Sequence, residues 1–178
     1  MSTTMTDRVL TEAFGPTEGA GLRLKQAALV VLGIAALAIF AKIKVPMWPV
    51  PVTMGTFAVL TIGAAYGPRL GLTTILGYMI IGALGFDVLA SSSAEAYGLT
   101  YMMGGTGGYL VGYVLATLAL GWAARAGWDR SILWMAVAML IGNALIYIPG
   151  LLWLGQLYGW DQHRSEEHTS ELQSRPHI

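Results

Sequence analysis

The polar side chains standing among apolar neighbours in this chain are neutral: Thr56, Thr61, Thr73, Thr74, Tyr78, Tyr109, Tyr113, Asn143 and Tyr147. Such groups hold a ligand or a neighbouring helix through hydrogen bonds, whereas proton transfer needs ionisable partners within reach. Asn143 is the sharpest of them, because a primary amide in hydrocarbon is costly unless its donors and acceptor are used. It precedes Tyr147 by one helical turn, so the two share a helix face. Its amide serves either a ligand or a bond to another helix. The threonines have a local option, since a Thr hydroxyl can bond back to its own helix.

Two glycine- and proline-rich stretches accompany these groups. Gly104-Gly105-Thr106-Gly107-Gly108 runs directly into Tyr109 and an apolar segment. The first-turn amides of a helix starting there are unsatisfied donors suited to a carbonyl or carboxylate, and the same glycines equally permit close helix packing. Pro46-Met47-Trp48-Pro49-Val50-Pro51-Val52-Thr53 carries three prolines, which fix three φ angles and remove three backbone donors. That stretch is extended and rigid, so ordering it around a ligand sacrifices little freedom. Pro149-Gly150, just after Tyr147, predicts an interruption of the last apolar segment.

Enzymatic chemistry finds little support. There is no cysteine, and His163, His168 and His177 all lie beyond the last apolar segment. The apolar segments hold no Ser-His-Asp set, no metal-binding His-Glu-x-x-His and no close carboxylate pair. The glycine cluster lacks the Lys-Ser/Thr of a phosphate loop, so this chain is not expected to hydrolyse ATP, and any ATP energy must come from a partner.

The elements that position these residues are membrane helices. The chain of 178 residues is 55% hydrophobic and 11% charged, with its charges kept out of the apolar segments. Five such segments are legible, at 24–43, 53–66, 70–86, 102–124 and 132–154. The second reaches only about 21 Å, short of a bilayer of about 30 Å, which predicts that the preceding proline stretch dips inward to line a cavity. Arg23, Lys25, Arg69, Arg125 and Arg130 flank one set of segment ends and Lys42 and Lys44 the other, so the N-terminus is expected in the cytoplasm. The expected organisation is a mobile tail over 1–22 and a transmembrane bundle over 23–161. Trp153, Tyr158 and Trp160 suit an interfacial aromatic belt.

In order, Pro49-Val50-Pro51-Val52-Thr53, Tyr66-Gly67-Pro68-Arg69-Leu70-Gly71, Gly77-Tyr78 through Gly82-Ala83-Leu84-Gly85, and Gly105-Thr106-Gly107-Gly108-Tyr109-Leu110 closely resemble the BioY family. These are the substrate-binding S components of biotin transporters of the energy-coupling-factor type. The likeness implies an all-α bundle of six membrane helices, of which five spans are present, sitting in the plasma membrane and taking up biotin from outside. It implies partnership with a membrane coupling subunit and a pair of ATP-binding subunits, which use the ATP, while this chain binds no cofactor of its own. No nucleic-acid partner is expected. For biotin, Thr53, Thr106, Tyr109, Asn143 and Tyr147 are the expected hydrogen-bonding groups. Trp48 is the expected apolar cover, with the first-turn amides around Gly107 and Gly108 facing a carbonyl or anionic end.

The sequence departs from the family pattern at Gly55, where a Gln is usual, and at Gly105, where a Pro is usual. Ala35, Ala38 and Ala41 repeat at three-residue spacing in place of a clean small-xxx-small docking face. After Asp161 the chain turns polar where the family continues into a sixth helix. The stretch from Arg164, expected to be disordered over 164–178, resembles the in-frame translation of a sequencing adapter. Competing readings are an S component for another vitamin, an integral-membrane enzyme and a structural membrane subunit.

Overall fold

The computed structural model describes residue 9 and residues 18–45, 52–90 and 98–158. Trp48, Trp160 and the stretch from Arg164 lie outside the described residues. The architecture is helical: α1 Gly19–Lys42, α2 Gly55–Ala83, a short α3 Gly98–Met103, α4 Gly107–Arg125 and α5 Ile132–Tyr158, with one 3-10 turn at Trp128–Arg130. Among the described residues, three helices are long and apolar enough to cross a membrane, namely α1, α4 and Ile132–Leu157 within α5. The outer faces are apolar too. Leu24 is 73% exposed, Leu133 72% and Leu140 70%, as a lipid-facing surface requires.

The segments at 53–66 and 70–86 are the two legs of α2, which breaks at Gly67 (φ 75°, ψ 177°), a backbone region open essentially to glycine alone. Pro68 then opens the second leg, where its missing N–H costs nothing. A Cβ on Gly71 would stand 3.7 Å from the Cα of Gly63. Eight residues of straight helix would separate those positions by about 12 Å, so the chain doubles back sharply at Gly67. Gly121 of α4 completes the corner: its missing Cβ would lie 2.4 Å from the Pro68 nitrogen.

The remaining helices follow an up-and-down course. Ala41 near the end of α1 lies beside Gly55 at the start of α2, and the second leg returns along α1 with Thr74 against Gly33 and Gly77 against Ile34. Then α4 descends, with Tyr113 beside Gly55 and Thr117 beside Gly63 and Gly71. Finally α5 ascends, with Gly142 against Leu120, Ile146 against Gly112 and Trp153 against Gly108. The core between them is built on Leu37, Val59, Leu60, Ile75, Leu110, Leu120 and Ile146. In consequence one end of the bundle gathers the close of α1, the start and end of α2, the start of α4 and the upper part of α5. The opposite end holds Gly67, Arg69, Arg125 and the 3-10 turn, and the side chain of Val9 is buried there over Gly67.

Several expectations shift. Helix α1 begins at Gly19, ahead of residue 24, because nothing between them breaks a helix. The segment expected to start at 102 is divided: Met102 and Met103 end the short α3, and α4 starts only at Gly107. Helix α5 continues through Pro149 without interruption. A small sheet was not foreseen: Lys44–Val45 and Val52–Thr53 pair antiparallel, with Lys44 opposite Thr53, at the base of the proline stretch.

Candidate ligand-binding site

At the end of the bundle away from Gly67 lies a recess with about 680 Å³ of empty space, its open mouth included. Each wall comes from a different part of the chain. Thr53 arrives on the second strand and Thr56 on the first turn of α2, while Tyr78 belongs to the returning leg. Tyr101 and Thr106 flank the junction of α3 and α4, Tyr109 and Tyr113 follow down α4, and Tyr147 faces in from α5. Ala41, Leu89, Ala90 and Leu110 supply apolar wall. No charged side chain lines the recess among the described residues. It therefore suits an apolar body carrying neutral donors and acceptors, since an unpaired charge buried there would be expensive.

The hydroxyls are held by specific contacts. Thr53 Oγ1 accepts from the Gly55 amide at 3.2 Å, and Tyr113 lines the recess beside Thr53 and Thr56. Gly55 makes room for the Tyr113 phenol, because a Cβ there would meet its oxygen at 3.3 Å. Thr106 does not cap α4; its hydroxyl donates backwards to the Tyr101 carbonyl at 3.1 Å. Tyr109 and Tyr147 meet edge to face, centroids 5.8 Å apart, and Gly150 admits the Tyr109 ring where a Cβ would come within 2.6 Å.

Four of the residues singled out from sequence, Thr53, Thr106, Tyr109 and Tyr147, thus converge on one recess. Three others stand elsewhere. Gly107 and Gly108 are taken up by packing: a Cβ on Gly107 would lie 2.7 Å from the Met102 carbonyl oxygen of α3 and 3.1 Å from the Trp153 ring of α5, and one on Gly108 would lie 2.4 Å from the Pro149 carbonyl oxygen. The Gly107 amide donates to the Gly104 carbonyl at 3.1 Å, so that first-turn donor is already used. Asn143 sits half-buried on α5 with its amide donating to Met139 of the same helix at 3.1 Å, and it does not line the recess. Trp153, expected in an aromatic belt, donates its indole N–H to the Gly104 carbonyl at 2.9 Å and so braces the mouth of α4.

Thr56, Tyr78 and Tyr113 are polar groups within apolar segments, yet only the chain reversal at Gly67 reveals that they face the site. Tyr101, Leu89 and Ala90 carried no sequence signal, because they lie in a connection with neither period nor motif. Thr61, Thr73 and Thr74 bond back to Phe57, Arg69 and Leu70 of their own helix at 2.8 to 3.0 Å, outside the recess.

Fold and site together define a helical membrane protein with a small-molecule recess at one end. The sequence matches the BioY family over residues 10–169, and the chain belongs to that family. It is 35% identical over 141 residues to the "Probable biotin transporter BioY" of Pyrococcus horikoshii, covering 79% of this chain and 81% of that protein. It is 30% identical to the "Biotin transporter BioY" of Thermotoga maritima over 66% of each chain. In three dimensions it resembles the S-component for biotin from an ECF-type ABC transporter, with a TM-score of 0.64 and 17% identity over 78% of this chain and 75% of that one. That likeness is one of fold.

Proposed function

We propose that this chain captures biotin at the outer face of the plasma membrane and serves as the S component of an energy-coupling-factor transporter. One observation carries the reading: a chain of the BioY family brings Thr53, Thr106, Tyr109 and Tyr147 from separate stretches to a single recess that no charged side chain lines among the described residues. Biotin has an apolar bicyclic body and a ureido group with donors and an acceptor, which is the chemistry such a recess accommodates, while its single carboxylate stays at the open mouth in contact with water. As a member of this family the chain is a transport protein, not an enzyme.

The five helical passes α1, both legs of α2, α4 and α5 are read as membrane spans, with 23–161 as the ligand-binding bundle. Arg23, Lys25, Arg69, Arg125 and Arg130 gather at the end opposite the recess, which supports a cytoplasmic N-terminus and a recess open to the outside. Uptake is then driven by ATP-binding subunits acting through a membrane coupling subunit. Competition against labelled biotin in detergent tests the specificity: desthiobiotin, which keeps the ureido group, displaces it better than lipoate. Preference for lipoate or for another vitamin would refute the assignment to biotin.

A further inference from the structure

Tyr113 is the last side chain of α4 to line the recess, and its backbone is held from two sides. Gly112 packs on α5, where a Cβ would lie 2.6 Å from the Ile146 Cα. One turn further on, Thr117 is fully buried and locked onto α2: a Cβ on Gly63 would stand 3.1 Å from its Cα, and one on Gly71 2.9 Å from its Cγ2. The Thr117 hydroxyl donates back to the Tyr113 carbonyl at 2.8 Å. Helix α4 therefore cannot shift sideways to carry the ring away, because close-packed neighbours leave it nowhere to go.

The tip of the ring meets a different constraint. A Cβ on Gly55 would stand 3.3 Å from the Tyr113 oxygen, 3.0 Å from Thr53 Oγ1 and 3.7 Å from the Ala41 Cα, so α1, the second strand, α2 and α4 meet at one point. Gly55 is buried and does not line the recess, so the end of the phenol is stowed behind the wall. The ring forms the inner limit of the recess, and beyond it the Thr117 contacts close α4 onto α2. With its root pinned, the space at Gly55 decides whether the phenol lies within the wall or projects into the recess. A side chain at 55 would let the Thr53 hydroxyl rotate aside but would drive the phenol inward.

We propose that Gly55 and Tyr113 act as a size selector: the missing side chain at 55 stows the phenol, and the stowed ring sets how bulky a group the inner recess admits. The selector rests on this packing; that the admitted group is the ureido ring of biotin rests on the proposed function. The cysteine-free sequence allows a test without ligand. Thr56→Cys in the full chain puts a single thiol on the recess wall, and the ratio of its reaction rates with benzyl and methyl methanethiosulfonate, both neutral, measures the room beside it. On that background Tyr113→Leu raises the benzyl-to-methyl ratio about tenfold, with Tyr113→Met as a second opening variant should leucine leave the bundle unfolded. Gly55→Ala lowers the ratio about three- to tenfold, and adding Tyr113→Phe, which deletes the oxygen that the new methyl meets, restores most of it. General loosening of the bundle would speed both reagents alike and leave the ratio where it was. Unchanged ratios in Tyr113→Leu, Tyr113→Met and Gly55→Ala, or a thiol inert to both reagents in every background, would overturn the selector. With threonine kept at 56, Gly55→Ala weakens biotin binding about five- to fiftyfold and the added Tyr113→Phe recovers most of the loss. Failure of the parent chain to bind labelled biotin would sink the proposed function and leave the rate ratios to judge the selector.

Discussion

Replacing Gly108 by alanine separates a packing glycine from one that faces ligand. The added methyl would stand 2.4 Å from the Pro149 carbonyl oxygen, 2.5 Å from the Trp153 Cβ and 2.9 Å from the Gly150 Cα. Comfortable contacts between such atoms lie near 3.5 Å, so α5 must retreat from α4 by about 1 Å. None of the three obstacles is the free end of a flexible side chain, and the strain cannot be relieved by a rotamer change. Overpacking of this kind costs about 1–3 kcal/mol, and backbone displacement places Gly108→Ala at the upper end, about 2–3 kcal/mol. The retreat also weakens the Tyr109–Tyr147 contact and the bond from Trp153 to the Gly104 carbonyl. In detergent the unfolding midpoint should fall by about 4–12 °C. A variant with parental stability and abolished biotin affinity would refute the reasoning, because Gly108 would then be facing ligand.

Gly67→Ala forces a side chain into φ 75°, ψ 177°, with its Cβ 3.2 Å from both Val9 methyls, and should destabilise the bundle by about 1–3 kcal/mol; a parental unfolding midpoint would contradict the sharp reversal of α2. Asn143→Ala should leave biotin affinity nearly unchanged while Tyr147→Phe weakens it, since only Tyr147 lines the recess; the reverse order would move the site down α5. Thr74→Val removes a fully buried hydroxyl that donates to the Leu70 carbonyl of its own helix at 2.9 Å. It should change stability by no more than about 1 kcal/mol and leave affinity untouched; a large loss of binding would give Thr74 a part in the site.

What the sequence disclosed follows the range of the signals. The apolar segments depend on local composition, and α1, the two legs of α2, α4 and α5 are helical over most of the five stretches read from it. The break at Gly67-Pro68 was readable as a boundary, but its sharpness was not, because it depends on Gly121 admitting the Pro68 backbone from another helix. Likewise the glycines before Tyr109 advertised close approach without naming the partner, and α5 supplied it through Pro149, Gly150 and Trp153. Thr53, Thr106, Tyr109 and Tyr147 could be singled out because each lies in a family motif or beside a costly amide. Asn143, marked by the same cost argument, finds a cheaper local answer in the Met139 carbonyl. In the sequence Lys42 and Lys44 signal only topology; their contacts with the Leu89 and Ala90 carbonyls span more than forty residues, a separation that no periodicity encodes.

The central claim is that the neutral hydroxyls of one recess hold biotin. Titration of labelled biotin against the detergent-purified full chain and against Thr53→Val, Thr106→Val and Tyr147→Phe tests it most directly. The account predicts saturable one-site binding by the parent, with each lost hydroxyl that meets the ligand reducing affinity about five- to hundredfold. Absence of saturable binding by the parent, or full affinity in all three variants, would contradict it.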